Sequence, residues 1–262
     1  CCDAVVAGEQ VYCIETIRQR RAYVEECKED NLPVDGLAES SKPLGAPPSA
    51  DEVTIGGAAA GDSAESFHNE YALSTRLGNG SFGMSYLVRR VGCEGKRPLA
   101  VKIVELAPAG VPEAEAARRR QRAAAEVAAL RLLARSVHVV RLADARVERG
   151  FSYMVTELCE QTLQQVLEEE PCLTEASVAA VLEQMLMAVQ AVHQAGVVHR
   201  DIKPANFMCA GGVVKLIDFE HAGFLAAGAV DGLSGVQGTP PFVAPEIFLG
   251  ESYGAAVDIW AF

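Results

Sequence analysis

The spacing of apolar and polar positions changes several times along the chain. Over the first thirty residues Val11, Ile14, Ile17 and Val24 fall roughly on one helical face, with Arg18, Arg20, Arg21, Glu25 and Glu26 around them. That pattern predicts a short helix within residues 8–30. Periodicity then stops. Pro33, Pro43, Pro47 and Pro48, followed by Gly56–Gly57–Ala58–Ala59–Ala60–Gly61, give residues 31–66 the composition of a flexible linker. From Tyr71 short β-prone runs alternate with Gly-rich turns, and Tyr71–Leu77, Ser85–Arg90 and Leu99–Leu106 are predicted strands. Glu113–Ala134, rich in Ala, Arg, Leu and Glu with no Gly or Pro, is a predicted helix. Val139–Arg146 and Phe151–Glu157 are two further strands. Leu163–Glu169 and Ala176–Gln194 are helices, the second stopping at Gly196. Short strands follow at Val197–His199, Phe207–Cys209 and Val213–Ile217. Strands first and helices later predict an α+β chain in two lobes.

Composition adds limits to this outline. Half of the 262 residues are apolar and 22% are charged, enough for a sizeable core and incompatible with wholesale disorder. The longest apolar stretch, Ala176–Val198, is broken by Glu183, Gln184, Gln190 and His193, so it reads as a core helix and no membrane span is expected. Residues 1–70 carry 14 acidic and 5 basic side chains, and residues 71–262 carry 21 and 18, so the net charge of −12 lies mainly in an acidic N-terminal tail. Such a balance argues against nucleic acid as a partner, which needs many phosphate-neutralising cations. The basic cluster Arg118–Arg119–Arg120–Gln121–Arg122 reads as a solvated helix face. The eight cysteines, Cys1, Cys2, Cys13, Cys27, Cys93, Cys159, Cys172 and Cys209, form no C-x-x-C pair, and none has a His at ligand spacing. They are expected to be free thiols in a reducing compartment, which places the chain inside the cell, in cytoplasm or nucleus. No basic region precedes an apolar block, so no secretory signal is expected, and Cys1 in place of Met suggests a fragment.

The chemistry begins at Gly78–Asn79–Gly80–Ser81–Phe82–Gly83. Dinucleotide folds place a G-x-G-x-x-G between strand and helix. Here a strand follows, so the loop is a hairpin that can lie over phosphates. The next strand carries Leu99–Ala100–Val101–Lys102. A lone ammonium on a buried strand is costly without an anion. A phosphate together with the carboxylate of Glu126, on the following helix, would serve. The densest run is His199–Arg200–Asp201–Ile202–Lys203–Pro204–Ala205–Asn206, then Asp218–Phe219–Glu220. Asp201 can accept a proton from a hydroxyl, Lys203 can neutralise a phosphoryl group in transit, and Asn206 and Asp218 are hard oxygen ligands suited to Mg²⁺. Gly238–Thr239–Pro240–Pro241–Phe242–Val243–Ala244–Pro245–Glu246 and Asp258–Ile259–Trp260 complete the series.

Residues 71–262 thereby resemble the eukaryotic protein kinases, whose signature motifs occur here in family order. The resemblance implies a bilobal kinase-like fold. The small lobe, an antiparallel sheet, would span about 71–157, and the mainly helical large lobe about 158–262, incomplete at its C-terminal end. It implies ATP and Mg²⁺ as cofactors and a protein substrate with a Ser or Thr acceptor. By position, Leu77, Gly78, Gly80, Gly83, Ser85, Ala100, Lys102, Thr156, Glu157, Cys159 and Met208 would surround ATP. Lys102 would pair with Glu126, Asp201 would be the base with Lys203 beside it, and Asn206 and Asp218 would hold the metal. Thr156 would be the gatekeeper and Glu157–Leu158–Cys159 the hinge. His199 would stack with Leu130, Leu142 and Phe219 above Asp258. Arg200, Ser234 and Thr239 would be regulatory, with Arg200 clamping a phosphate on Ser234. Lys203 with Thr239 points to a serine/threonine kinase. The runs Lys203–Phe207 and Lys215–Phe219 are similar to the spindle-checkpoint dual-specificity kinases.

Three departures accompany the resemblance. Glu220 replaces the Gly of the D-F-G motif, restricting that turn, adding a charge beside the Mg²⁺ site and supporting an alternative reading as a pseudokinase or scaffold. Ser85 replaces a Val expected against adenine. The chain stops just inside the helix near Asp258, before the Arg that would pair with Glu246, so the apolar faces of Ala176–Gln194 and Ile247–Leu249 are expected to be exposed and the chain alone aggregation-prone and inactive. A small-molecule phosphotransferase shares the base-and-Asn loop but lacks a segment like Gly238–Glu246.

Overall fold

The computed structural model describes Ala4–Ala7, Gln10–Cys13 and residues 66–79, 83–93, 95–169 and 174–262. Near the N-terminus it corrects the helix expected over 8–30. Strands β1 (Ala4–Ala7) and β2 (Gln10–Cys13) pair antiparallel, with Ala7 opposite Gln10. Val5, Val6, Val11 and Tyr12 are residue types that favour strands. The rest of that segment and linker residues 31–65 lie outside the described residues.

A second correction concerns helix α1 (Phe67–Glu70), which composition assigned to the tail. Phe67 is fully buried. Its ring stacks on Tyr71 at 5.0 Å and on Tyr153 at 4.2 Å. Glu148 holds this turn by accepting from the Phe67 amide at 2.7 Å and the Ser66 hydroxyl at 2.9 Å. Pattern reading misses so short a helix, because its stability comes from packing.

The small lobe is a five-stranded antiparallel sheet in the order β3-β4-β5-β7-β6, with β3 Tyr71–Asn79, β4 Met84–Arg90, β5 Leu99–Glu105, β6 Leu142–Glu148 and β7 Phe151–Glu157. Val88, Val101 and Val155 fill one face together with the aromatic stack. Helix α2 (Glu113–Leu132) crosses behind it, burying Ala116, Ala123, Ala124, Val127, Ala129 and Leu130. These small residues let the helix lie close to the sheet and carry Glu126 inward. Val139, expected to begin a strand, instead makes a lone bridge to Leu216, and β6 starts at Leu142.

The large lobe follows: β8 (Gln161–Thr162), α3 (Leu163–Glu169), α4 (Glu175–Gln194), β9 (Val197–Val198), β10 (Phe207–Ala210), β11 (Val213–Leu216), β12 (Gly223–Phe224), α5 (Pro245–Leu249) and α6 (Ala256–Ala261). Thr174 and Ser177 form a capping box that starts α4. A core of Val127, Leu130, Met154, Val189, Val192, Phe207, Leu216 and Phe219 joins α2, β7 and α4 to the strands below. Among the described residues, α4 alone has the length and composition to cross a membrane. Only one face of it enters the core: Met185, Ala188, Val189 and Val192 are buried, whereas Val178, Leu182, Leu186 and Met187 are exposed. In α5 the expected exposure is divided. Phe248 and Leu249 are exposed, but Ile247 packs with Val198, Ala244, Tyr253 and Val257.

One ion pair ties α1 to β6. Arg146 donates to both carboxylate oxygens of Glu70 at 3.0 Å, and this contact holds the Glu70 carboxyl below its usual range. A carboxyl depressed in the folded state stabilises it above the unfolded pKa of about 4.5, and loses that contribution as pH falls through the folded value. Glu70→Gln is therefore expected to cost roughly 0.5–1 kcal/mol at neutral pH. It should also flatten the acid side of the stability profile. Denaturant titrations between pH 7 and pH 3 measure both.

Candidate functional site

Lys102 stands on β5, paired across the sheet with Ser85 on one side and Met154 on the other. Its ammonium contacts three carboxylates drawn from two other segments. Both oxygens of Glu126 accept at 3.0 Å, Asp218 Oδ1 at 2.7 Å and Glu220 Oε2 at 3.3 Å. Burial works against the ammonium, but Glu126, Asp218 and Glu220 outweigh it and raise the Lys102 pKa. Burial pushes the Glu126 carboxyl up. Glu220, unassigned by the motif reading except as a departure, is buried with its carboxylate facing the lysine. Although burial by itself raises it, the His221 hydrogen bond and the Lys102 charge hold its carboxyl down to about 2. Its φ is not left-handed, unlike that of the neighbouring Asp218 at 62°, so this turn does not require Gly at position 220.

A second cluster surrounds Asp201. Lys203 Nζ donates to Asp201 Oδ2 at 2.7 Å, and the Thr239 hydroxyl donates to Oδ1 at 2.7 Å. Lys203 also donates to the Thr239 oxygen at 2.8 Å. Burial alone raises the Asp201 carboxyl, but these donors bring it below its usual range. Asn206 sends its amide group to the Asp201 carbonyl at 2.8 Å and to Oδ2 at 3.1 Å. Thr239, grouped with the regulatory residues on sequence, thus belongs to the immediate shell of Asp201. Gly238 makes this possible. It adopts φ 99°, and a Cβ there would lie 2.6 Å from the Arg200 carbonyl oxygen.

The loop beneath is fixed by buried Asp258, which accepts from the His199 amide at 2.8 Å, the Arg200 amide at 2.7 Å and His193 Nε2 at 2.9 Å. Arg200 takes φ 66° there. The His199 ring meets Phe219 edge-on at 4.8 Å and lies 3.1 Å from the Ile217 carbonyl. Leu130 and Phe219 share one core, with Leu142 packed against it. Burial lowers the His199 pKa. His193 was not anticipated; the signal was its place as the last basic residue of α4, one turn before the loop.

The other expected residues line the strands. Leu77 and Gly78 are exposed on β3, and Gly80 lies outside the described residues. Gly83 directly precedes β4, and a Cβ there would stand 2.5 Å from the Ile103 carbonyl oxygen, so Gly lets the chain lie close to β5. Ala100 pairs with Thr156 across β5 and β7. Met208 pairs with Thr162 and Lys215. Burial pushes the thiol of Cys159 up to about 12 and that of Cys209 to about 11, which disfavours the thiolate at both.

At Glu157 the structure assigns the side chain elsewhere. Its Oε1 accepts from the Arg141 amide at 2.7 Å and from Lys215 Nζ at 2.8 Å, both ends of the ion pair being buried. Its backbone amide in turn donates to the Arg141 carbonyl at 3.0 Å. Lys215 was missed, though Val213–Val214–Lys215–Leu216 carries the same signal as the strand of Lys102: one ammonium among apolar neighbours. Lys215→Met should destabilise by about 3–5 kcal/mol because it strands a buried carboxylate. The double variant Lys215→Met/Glu157→Leu should recover much of that loss, which denaturant unfolding of the two variants would show.

Arg200 donates through Nε to the His221 carbonyl at 2.5 Å and through Nη1 to the Tyr253 hydroxyl at 3.2 Å. Ser234 is exposed, and its carbonyl accepts from Tyr253 at 3.2 Å. Arg118, Arg122, Arg200 and Ser234 line one cleft of about 800 Å³ between α2 and the segment 220–237. The basic run on α2, read as a solvated face, therefore has one edge turned to this segment.

Among the described residues no group of three or more His, Cys, Asp or Glu could hold a metal unaided. Asn206 uses its amide hydrogens on Asp201, leaving its carbonyl oxygen to accept, and Asp218 has one oxygen beyond that facing Lys102. One carboxylate and one amide oxygen suit Mg²⁺ that takes its other ligands from phosphates and water.

A family model described as protein kinase domain matches residues 71–262. Calcium-dependent protein kinase 16 of Oryza sativa subsp. japonica is 36% identical over 198 residues, covering 73% of this chain and 34% of that protein. Calcium-dependent protein kinase 3 of the same organism is 34% identical over 199 residues, covering 74% of this chain and 34% of its own length. The chain thus spans about a third of the relatives it matches.

Proposed function

The chain belongs to the protein kinase family, and from that premise we propose that it is a serine/threonine kinase moving the γ-phosphoryl group of ATP, with Mg²⁺, onto a protein hydroxyl. The observation that carries this reading is the contact of Thr239 with Asp201 and Lys203. An alcohol oxygen sits 2.7 Å from a carboxylate and 2.8 Å from an ammonium. A substrate hydroxyl would need the same two neighbours, one to take its proton and one to neutralise the phosphoryl group it attacks.

In this reading Asp201 accepts the hydroxyl proton as the hydroxyl oxygen bonds to phosphorus and the bond to the ADP oxygen breaks. Lys102, positioned by Glu126, meets the α- and β-phosphates. Asn206 and Asp218 would hold Mg²⁺, which would supply charge neutralisation there. The proposed site of action is intracellular, in cytoplasm or nucleus. A pseudokinase reading is favoured by one observation, the buried Glu220 carboxylate beside Lys102.

Asp201→Asn should reduce phosphate transfer by at least roughly 10²-fold while leaving nucleotide binding within about twofold. Transfer of labelled phosphate to Ser/Thr peptides by the full-length protein measures the first and calorimetry the second. Equal turnover of parent and variant would refute the role of Asp201, and no turnover in either would favour the pseudokinase.

The cleft shared by Ser234 and Arg200 supports a regulatory role for both. A phosphate on Ser234 would add charge opposite Arg200, Arg118 and Arg122. Ser234→Ala should then lower peptide turnover several-fold, and phosphate mapping of active protein should find that serine modified.

A further inference from the structure

An ammonium has three N–H donors. At Lys102 they face Glu126, Asp218 and Glu220, so no donor is left over. A polyphosphate reaching this lysine must take a donor from one of the three carboxylates. Glu126 offers both oxygens at 3.0 Å, and Asp218 has the shortest contact at 2.7 Å. Glu220, at 3.3 Å, has the longest contact. It also has another partner, since its second oxygen lies 3.4 Å from His221 Nε2. The opposite ring nitrogen, His221 Nδ1, is 2.8 Å from Gln237 Oε1. Gln237 directly precedes Gly238 and Thr239, whose hydroxyl is bonded to Asp201. A continuous set of contacts therefore runs from Lys102 through Glu220, His221 and Gln237 to the segment that closes on Asp201.

We propose that Glu220 is an internal competitor for the nucleotide phosphates on Lys102, and that the His221–Gln237 contact sets the strength of that competition. With His221 held by Gln237, Glu220 has a partner to turn to when a phosphate arrives. When the segment moves and His221 loses Gln237, Glu220 is left with Lys102 alone and excludes the phosphate. Nucleotide affinity thereby follows the position of the segment carrying Thr239. Glu220 acts as a positioning residue for the lysine; it does not touch the reacting atoms. This rests on the kinase reading and adds to it a determinant of nucleotide affinity at position 220.

Binding of ADP to the full chain, measured by calorimetry with and without Mg²⁺, tests the idea independently of turnover. Glu220→Gln keeps the shape and removes the competing charge. It should tighten ADP binding by on the order of tenfold, the size of one charge-assisted contact. Glu220→Gly, whose backbone suits the turn equally, should do the same. His221→Ala and Gln237→Ala should each weaken ADP binding several-fold. The double variant Glu220→Gln/His221→Ala should bind as Glu220→Gln does, because His221 acts only through the carboxylate. Thermal melting reports whether each variant is folded. Unchanged affinity in both Glu220 variants, or a double variant showing the sum of the two single effects, overturns the proposal while ADP binding by the parent leaves the kinase reading standing. ADP binding by no variant, including Glu220→Gln, overturns both. Binding by Glu220→Gln and not by the parent is the strongest form of the expected result.

Discussion

Placing an ammonium inside a sheet is the constraint on which much of this structure depends. Lys102 is on the middle strand β5, where desolvation would drive off its proton or unfold the strand unless anions were brought to it. The anions come from far along the chain: Glu126 from α2, and Asp218 and Glu220 from the turn after β11. Satisfying that one charge draws the helix against the sheet and the large lobe against both. A second buried cation repeats the arrangement at lower cost. Lys215 is matched to Glu157 and to the Val137 carbonyl, pinning β11 to the end of β7.

The cluster around Asp201 obeys a related logic. Its loop holds Arg200 at φ 66°, and Asp218 follows at φ 62°, conformations that cost on the order of 1–3 kcal/mol each for side chains of this kind. Asp258 offsets part of this by accepting two consecutive loop amides as well as His193. The strain lies where the side chains of Asp201, Asn206 and Asp218 must converge. A carboxylate fully removed from water thus supports the backbone, while Asp201 and Asp218 above it bond to Lys203, Thr239 and Lys102.

Much of this was legible from residue order. Strands β3 to β7 and helices α2 and α4 fall where pattern and turn chemistry place them, within a few residues. What was missed has a common character. Helix α1 is four residues long and owes its existence to the Phe67 stack. Thr239 was grouped by its segment rather than by the oxygen it bonds. The charge that Glu220 adds is legible in the sequence, but its φ is not left-handed and its carboxylate faces Lys102, which residue order does not show. Lys215 and His193 owe their roles to partners 58 and 65 positions away in sequence.

The sequence by itself determined the order of strands and helices, the identity of the charged groups that must meet, and the need of Lys102 for an anion, because these follow from local periodicity and the cost of burying charge. Only the tertiary structure decided how many carboxylates share that lysine, which oxygen of Asp201 holds Thr239, and that His221 connects Glu220 to Gln237. Those outcomes depend on distances of about 3 Å between segments distant in the chain. Distances of that kind are set by packing among many residues at once, and no local pattern encodes them.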